Sequence, residues 1–201
     1  MANNSRDTLK LSSSDPAAAF SDEYKMAEKD SGNHTFSYLS LKTAGPQTVT
    51  VTDKDTGTAG TLSIDVGAAP VSTDKSSFTA SKEKLILNQD QSKLIVKITD
   101  RFNNPIADQE IKINYNSEIG DVKDGGSIKT DKSGTVTFDY SPKKIGRDTL
   151  TATNQTGQFT VGSPIGIEVL SDTILNQIAS TIDTLQNNPT AQATANIVKN
   201  V

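Results

Sequence analysis

The chain has 201 residues, no cysteine, a single histidine and a formal net charge of −4. Without cysteine there can be no disulfide staple, zinc–thiolate site or thiol nucleophile, and the acidic balance argues against nucleic acid as a partner, since phosphate binding needs clustered Lys and Arg. Hydrophobic residues make up only 33%, below the about 45–50% of ordinary soluble domains, so the length predicts two small thin-cored domains and a tail.

The opening residues, MANNSRDTLKLSSSDP, carry no apolar stretch after Arg6 and are not a signal peptide. No apolar run approaches membrane-spanning length, so membrane insertion by these residues is not expected. The reading is a fragment of a longer chain whose export signal lies elsewhere. Short period-two strands follow: Leu9-Leu11, Thr35 to Leu41, Thr48 to Thr52, and Leu62-Ile64-Val66. Turn clusters separate them at 12–16, 28–33, 43–47 and 53–60, each rich in Gly, Pro, Asp or Asn. In the second strand Phe36 and Tyr38 lie on one phase, Leu39 and Leu41 on the other. That pattern predicts a β-bulge near Tyr38 or burial on both faces.

GAAPVSTDK, from Gly67 to Lys75, interrupts the alternation and marks a domain boundary. Beyond it, strands are expected at Ser77–Ala80, Leu85–Leu87, Ser92–Thr99, Glu110–Tyr115, Gly134–Tyr140, Asp148–Thr153 and Gly157–Val161. The core candidates are Leu94, Val96, Ile98, Ile111, Ile113, Val136, Phe138, Tyr140, Leu150, Ala152, Phe159 and Val161. Seven short strands over about ninety residues predict an all-β sandwich. Between two of them, DRFNNPIADQ gathers the turn formers Asp100, Asn103, Asn104, Pro105 and Asp108, which are expected to reverse the chain and serve the fold.

Ile165, Ile167 and Val169 still alternate and finish a strand. After them Ile174, Leu175, Ile178, Ile182 and Leu185 recur at helical spacing behind a Ser171 or Asp172 N-cap, and Asn187-Asn188-Pro189 stops the helix. Pro189 then opens a second helix with Ala191, Ala195, Val198 and Val201 on one face. The first helix is too short to stand alone in water, so its Ile/Leu stripe is expected to pack against its own β-domain, the second helix or another subunit.

LIVKITDRFNNPIADQEIKINY and GGSIKTDKSGTVTFDYSPKKIGRDTLTAT together resemble the bacterial immunoglobulin-like domains of invasin and intimin type. The matching positions are Asp100, Asn104-Pro105, Thr130-Asp131-Lys132-Ser133-Gly134, and Gly146 before Leu150-Thr151-Ala152. Upstream, Asp15-Pro16, Gly32, His34, Phe36 and Lys42 to Asp53 resemble part of a repeat from large bacterial surface proteins, without its front strands. The resemblance implies a mainly β chain of tandem immunoglobulin-like β-sandwiches with a C-terminal α-helical tail. Its parts would be an incomplete first domain over 1–69, an invasin/intimin-type domain over 70–162, and a helical tail over 163–201 broken at Pro189. A half sandwich exposes apolar faces and strand edges, so either the fragment starts mid-domain or a donor strand completes it.

Candidate chemistry is sparse. His34 is the one residue through which a Ser-His-Asp triad would have to pass, and in SGNHTFS it reads as a structural hairpin residue. Without tryptophan and with few aromatics, neither a glycosidase nor a typical sugar-binding module is favoured. Asp53-Lys54-Asp55-Thr56-Gly57 starts like a calcium loop, but its Gly is misplaced and Ile64 stands where a bidentate Glu belongs, which rejects an EF-hand. An irregular calcium site would draw on Asp53, Asp55, Asp65, Asp74 or Asp100; solvated turn acids are the alternative, and no other cofactor is expected.

These readings converge on a non-enzymatic stalk or spacer of a prokaryotic cell-surface protein, extracellular in location, with neighbouring domains of a longer chain as its partners. Two rivals stand beside it. One is an S-layer, pilus-like or virion assembly component that self-associates through the incomplete domain and the Ile174, Leu175, Ile178, Ile182, Leu185 stripe. The other is a carbohydrate- or host-receptor-binding adhesin whose recognition lies in surface loops such as 116–127.

Overall fold

Period-two sequence needs partner strands on each side and a covered apolar face, and the chain meets that need differently in its two halves. In the computed structural model, residues 7–186 are described, apart from the side chains of 174–176, 185 and 186. The second helix expected after Pro189 and the end of the Leu185 stripe lie outside the described residues.

The chain divides into two compact units. Unit one comprises residues 1–75 together with 99–106, and unit two comprises 76–98 together with 107–201. In unit one, strands β1 (Thr8–Ser13), β3 (Glu23–Lys25), β5 (Gly45–Asp53) and β6 (Ala59–Val66) form one sheet in the order β3-β1-β5-β6. Its pairings are all antiparallel. Two short strands, β2 (Ala19–Phe20) and β4 (Leu39–Ser40), pair separately. The expected strand over Thr35 to Leu41 is thus reduced to Leu39–Ser40. Tyr38 and Leu39 are exposed, so neither a bulge nor two-sided burial explains the phase change. The segment leaves the ladder because Tyr24, His34 and Phe36 form a ring cluster instead, with Tyr24 and His34 stacked at 3.3 Å and Phe36 edge-on to His34 at 4.9 Å.

Unit two has two facing sheets. One has the order β12-β10-β14-β15-β8 and the other β11-β13-β9-β7. The strands are β7 (Ser77–Ala80), β8 (Lys84–Ile86), β9 (Ser92–Lys97), β10 (Glu110–Asn114), β11 (Gly120–Val122), β12 (Ser127–Lys129), β13 (Thr135–Pro142), β14 (Gly146–Asn154) and β15 (Phe159–Leu170). Among the described residues only β15 and β8 pair in parallel. All seven expected strands are present. β11 and β12 are additions, three residues each; β11 and the first residue of β12 fall within the stretch read as a 116–127 loop. β15 runs on through Ile165, Ile167 and Val169, with a register shift against β14 between Leu150 and Ala152.

Strict alternation explains the core. In β9, Ser92, Leu94 and Val96 point inward and their neighbours outward. Every core candidate is buried except Phe159, which is partly exposed. Gly162 takes a left-handed backbone at φ +62°, and a Cβ there would stand 3.0 Å from the Phe78 amide nitrogen, so only glycine lets β15 pass β7 so closely. A Cβ on Gly120 would collide with the Tyr140 ring.

Helix α1 (Asp172–Gln186) starts and stops within a residue of the sequence limits. Asp172 supplies an acid in its first turn and accepts from Gln89 Nε2 at 2.9 Å. Ile178 and Ile182 on its surface are about half exposed, at 50% and 48%. No helix among the described residues is long and apolar enough to cross a membrane.

Candidate functional site

Three features of unit one hold chemistry or open surface, and the first is a buried polar network made from three motifs far apart in sequence. SSSDP supplies Asp15, which is only 3% exposed. Its carboxylate accepts from Ala17 N at 2.8 Å, Lys42 N at 2.6 Å, Thr43 N at 3.0 Å and Thr43 Oγ1 at 2.6 Å. Burial raises its proton affinity, but the Thr43, Lys42 and Ala17 donors outweigh that and hold the carboxyl far below the usual carboxylate range. The LKTAG segment is thereby pinned through its own main chain.

Asn104 holds the same segment from the other side. Its Oδ1 accepts from Ala44 N at 2.9 Å, and its Nδ2 donates to Lys42 O at 2.7 Å and to Asp100 Oδ2 at 2.7 Å. Asp100, fully buried, also accepts from Phe102 N, Asn104 N and Ala69 N, at 2.7, 2.9 and 2.8 Å. Desolvation opposes its charge, and these donors, Asn104 Nδ2 foremost, still leave its carboxyl below the ordinary value. Both oxygens are committed to N–H donors, so Asp100 has little left for a cation. Pro105 and Asn103, the latter at φ +68°, shape the turn that presents Asn104.

The second feature is acidic. Asp53 and Asp55, two of the calcium candidates, come together with Asp7, and a ligand oxygen from each lies within 4.8 Å of the others. Desolvation first, then Asp53 and Asp55, push the Asp7 carboxyl up. The other two acids are already used locally. Asp53 accepts from Asp55 N at 2.9 Å and from Thr56 Oγ1 at 2.7 Å, and Asp55 accepts from Thr8 N at 3.1 Å. Asp65 and Asp74 are exposed and lie outside this group, as does Asp100. Asp7 escaped the sequence reading because nothing in a 46-residue separation announces that β1 and β5 start and end side by side, with Leu9 opposite Asp53.

The third feature is an apolar groove of about 470 Å³ lined by Leu11, Phe36, Leu39, Val49, Val51 and Leu62. Leu62, on the sheet-edge strand β6, is 62% exposed. Separately, in unit two, the expected helical stripe exposes Ile178 and Ile182, while the side chains of Ile174, Leu175 and Leu185 lie outside the described residues.

Unit two spends its polar residues in the same manner as the network. Tyr140 Oη donates to Asp148 Oδ2 at 2.9 Å, both groups buried, and Asp148 Oδ1 accepts from Asn116 N at 2.9 Å. Burial, then Asp148, push the Tyr140 hydroxyl well above its ordinary value. In the TDKSG hairpin Asp131 Oδ1 accepts from Ser133 N, Ser133 Oγ and Thr135 N, at 2.8, 2.6 and 3.0 Å. Gly134 completes that turn at φ +69°.

Residues 75–164 match the family model described as bacterial Ig-like domain (group 1). Among solved structures, InvD of Yersinia pseudotuberculosis aligns with a TM-score of 0.53 and 13% identity, over 82% of this chain and 47% of that one. Invasin, described as a bacterial integrin-binding protein, aligns with a TM-score of 0.45 and 16% identity over 83% of this chain and 32% of its own. Domains 4 and 5 of the S-layer protein SbsC align with a TM-score of 0.38 and 13% identity, over 81% and 70% respectively. The chain thus spans about a third of the invasin structure and about half of the InvD structure. No curated protein matches the sequence. The stretch that matches the bacterial Ig-like domain (group 1), residues 75–164, carries strands of both sheets of the β-sandwich.

Proposed function

We propose that this chain is a non-enzymatic stalk module of a prokaryotic cell-surface protein, spacing or presenting an adhesive or assembly region. One observation carries the reading: the buried polar side chains best placed for chemistry, Asp15, Asp100, Asn104 and Asp148, are occupied by main-chain groups, by one another and by the Thr43 and Tyr140 hydroxyls. They stiffen turns and hold no free group toward a substrate. The family match and the fold shared with InvD support a surface location. Stretching single molecules held at both ends tests it. Discrete force peaks, each releasing a folded unit, are expected; smooth extension without peaks would contradict a load-bearing role.

A second reading, subunit assembly, is favoured by the exposure of Ile178 and Ile182 on α1. Light scattering across concentrations, comparing the whole chain with a form ending at Ser171, separates the two. Association lost with the helix supports assembly, and a monomer in both forms leaves the stalk. Host-receptor binding comes to this chain through the invasin likeness and ranks below both.

A further inference from the structure

The segment 99–106 belongs to unit one, yet the chain enters it from β9 of unit two through Ile98 and leaves it through residues 107–109 to β10 of unit two. It brings to unit one the Asp100 and Asn104 side chains, a bridge between Val71 and Asp100, and hydrogen bonds from Ser72 N to Thr99 O at 2.8 Å and from Thr99 Oγ1 to Lys75 O at 2.9 Å. Residues 1–75 alone would leave the Lys42 carbonyl and the Ala44 and Ala69 amides without these partners, in a unit with few buried apolar side chains to compensate.

We infer that unit one is not an autonomous domain: its native state requires 99–106, and its folding is coupled to unit two in one direction only. Unit two holds its own two sheets and its own core, so it stays folded when unit one opens. When unit two unfolds, β9 and β10 release the ends of 99–106. The entropy of closing that segment onto unit one is then no longer covered by the sandwich, and unit one loses its network.

The test uses the full chain, with residue-resolved amide signals followed through denaturant. Asn104→Ala is expected to lower protection of the Ala44 and Ala69 amides about tenfold to a hundredfold, leaving the midpoint of β13 and β14 unchanged. In the second arm Phe138→Ala and Leu150→Ala are combined to unfold unit two. Signals of Lys42, Thr43 and Ala44 are then expected to vanish with or before those of Val96 and Val136. The inference is overturned if folded unit-one signals persist once unit two has unfolded, or if Asn104→Ala moves both units equally or neither. A combined variant that never folds unit two still decides the matter, because unit one is then either present or absent.

Discussion

Unit two and unit one are both antiparallel β-structures of thin composition, but different forces hold them. Unit two closes two sheets over Leu85, Leu94, Val96, Ile98, Ile111, Ile113, Phe138, Tyr140, Leu150 and Ile167, all at most 1% exposed. Unit one, among the described residues, buries only Leu11, Met26 and Val49 as apolar side chains, and leaves Leu62 and Leu39 open along its groove. Its order comes instead from carboxylates and one amide that fix main-chain N–H and C=O groups. The contrast shows how a short sheet persists with little apolar burial: polar capping replaces part of it, and it brings sensitivity to acid and to single polar substitutions.

The largest expected effect breaks the apolar side of this contrast. Phe138→Ala should destabilise unit two by about 3–5 kcal/mol in urea denaturation, while Leu62→Ala in unit one should change stability by less than about 0.5 kcal/mol, since its side chain already faces water. Equal losses would erase the distinction. Next comes the buried pair. Tyr140→Phe removes the hydroxyl from Asp148 and should cost about 1–3 kcal/mol in the same assay, because a buried carboxylate oxygen is left unmatched.

Acid sharpens the polar side. Asp15 and Asp100 have proton affinities depressed in the folded state, so the stability they provide is full above the ordinary carboxylate value of 3.8 and is lost as pH falls below it toward their folded values. Asp7, pushed up, works in the opposite sense at the other end of β1. In unit two the lowered carboxyls are Asp131, at an exposed hairpin, and Asp90, paired with the half-exposed Lys82, where solvent weakens the effect. Circular dichroism of Asp15→Asn through an acid titration should show a flatter loss for unit one than the unaltered chain. The smallest effect is at the surface: Lys93 and Asp139 meet at 3.0 Å but are 65% and 46% exposed, so Lys93→Ala should cost under about 1 kcal/mol in urea.

Much of unit two was legible because strict alternation and punctual turn residues both encode the same sandwich; Leu94-Val96-Ile98 and Ile111-Ile113 read directly as inward rows. β11 and β12 escaped because three residues are too few to show a period. Thr35 to Leu41 misled because its aromatic residues satisfy a strand pattern while packing as a ring cluster with Tyr24. DRFNNP was legible as a turn, whereas the partners of Asn104 were not. A hydrogen bond spanning 60 residues, from Ala44 N to Asn104 Oδ1, leaves no local signature. The same holds for the Asp7, Asp53 and Asp55 group, assembled by strand register alone.

Whether buried carboxylates hold unit one is read most directly by amide hydrogen exchange of the unaltered full chain at pH values on either side of 3.8, at Lys42, Thr43, Ala44 and Ala69 compared with Val96, Val136 and Leu150. After correction for intrinsic exchange, protection at the first four is expected to fall on the acid side while the core amides of unit two hold. Parallel loss in both units, or protection at Lys42 to Ala44 that ignores pH, would contradict a first unit held by its buried carboxylates.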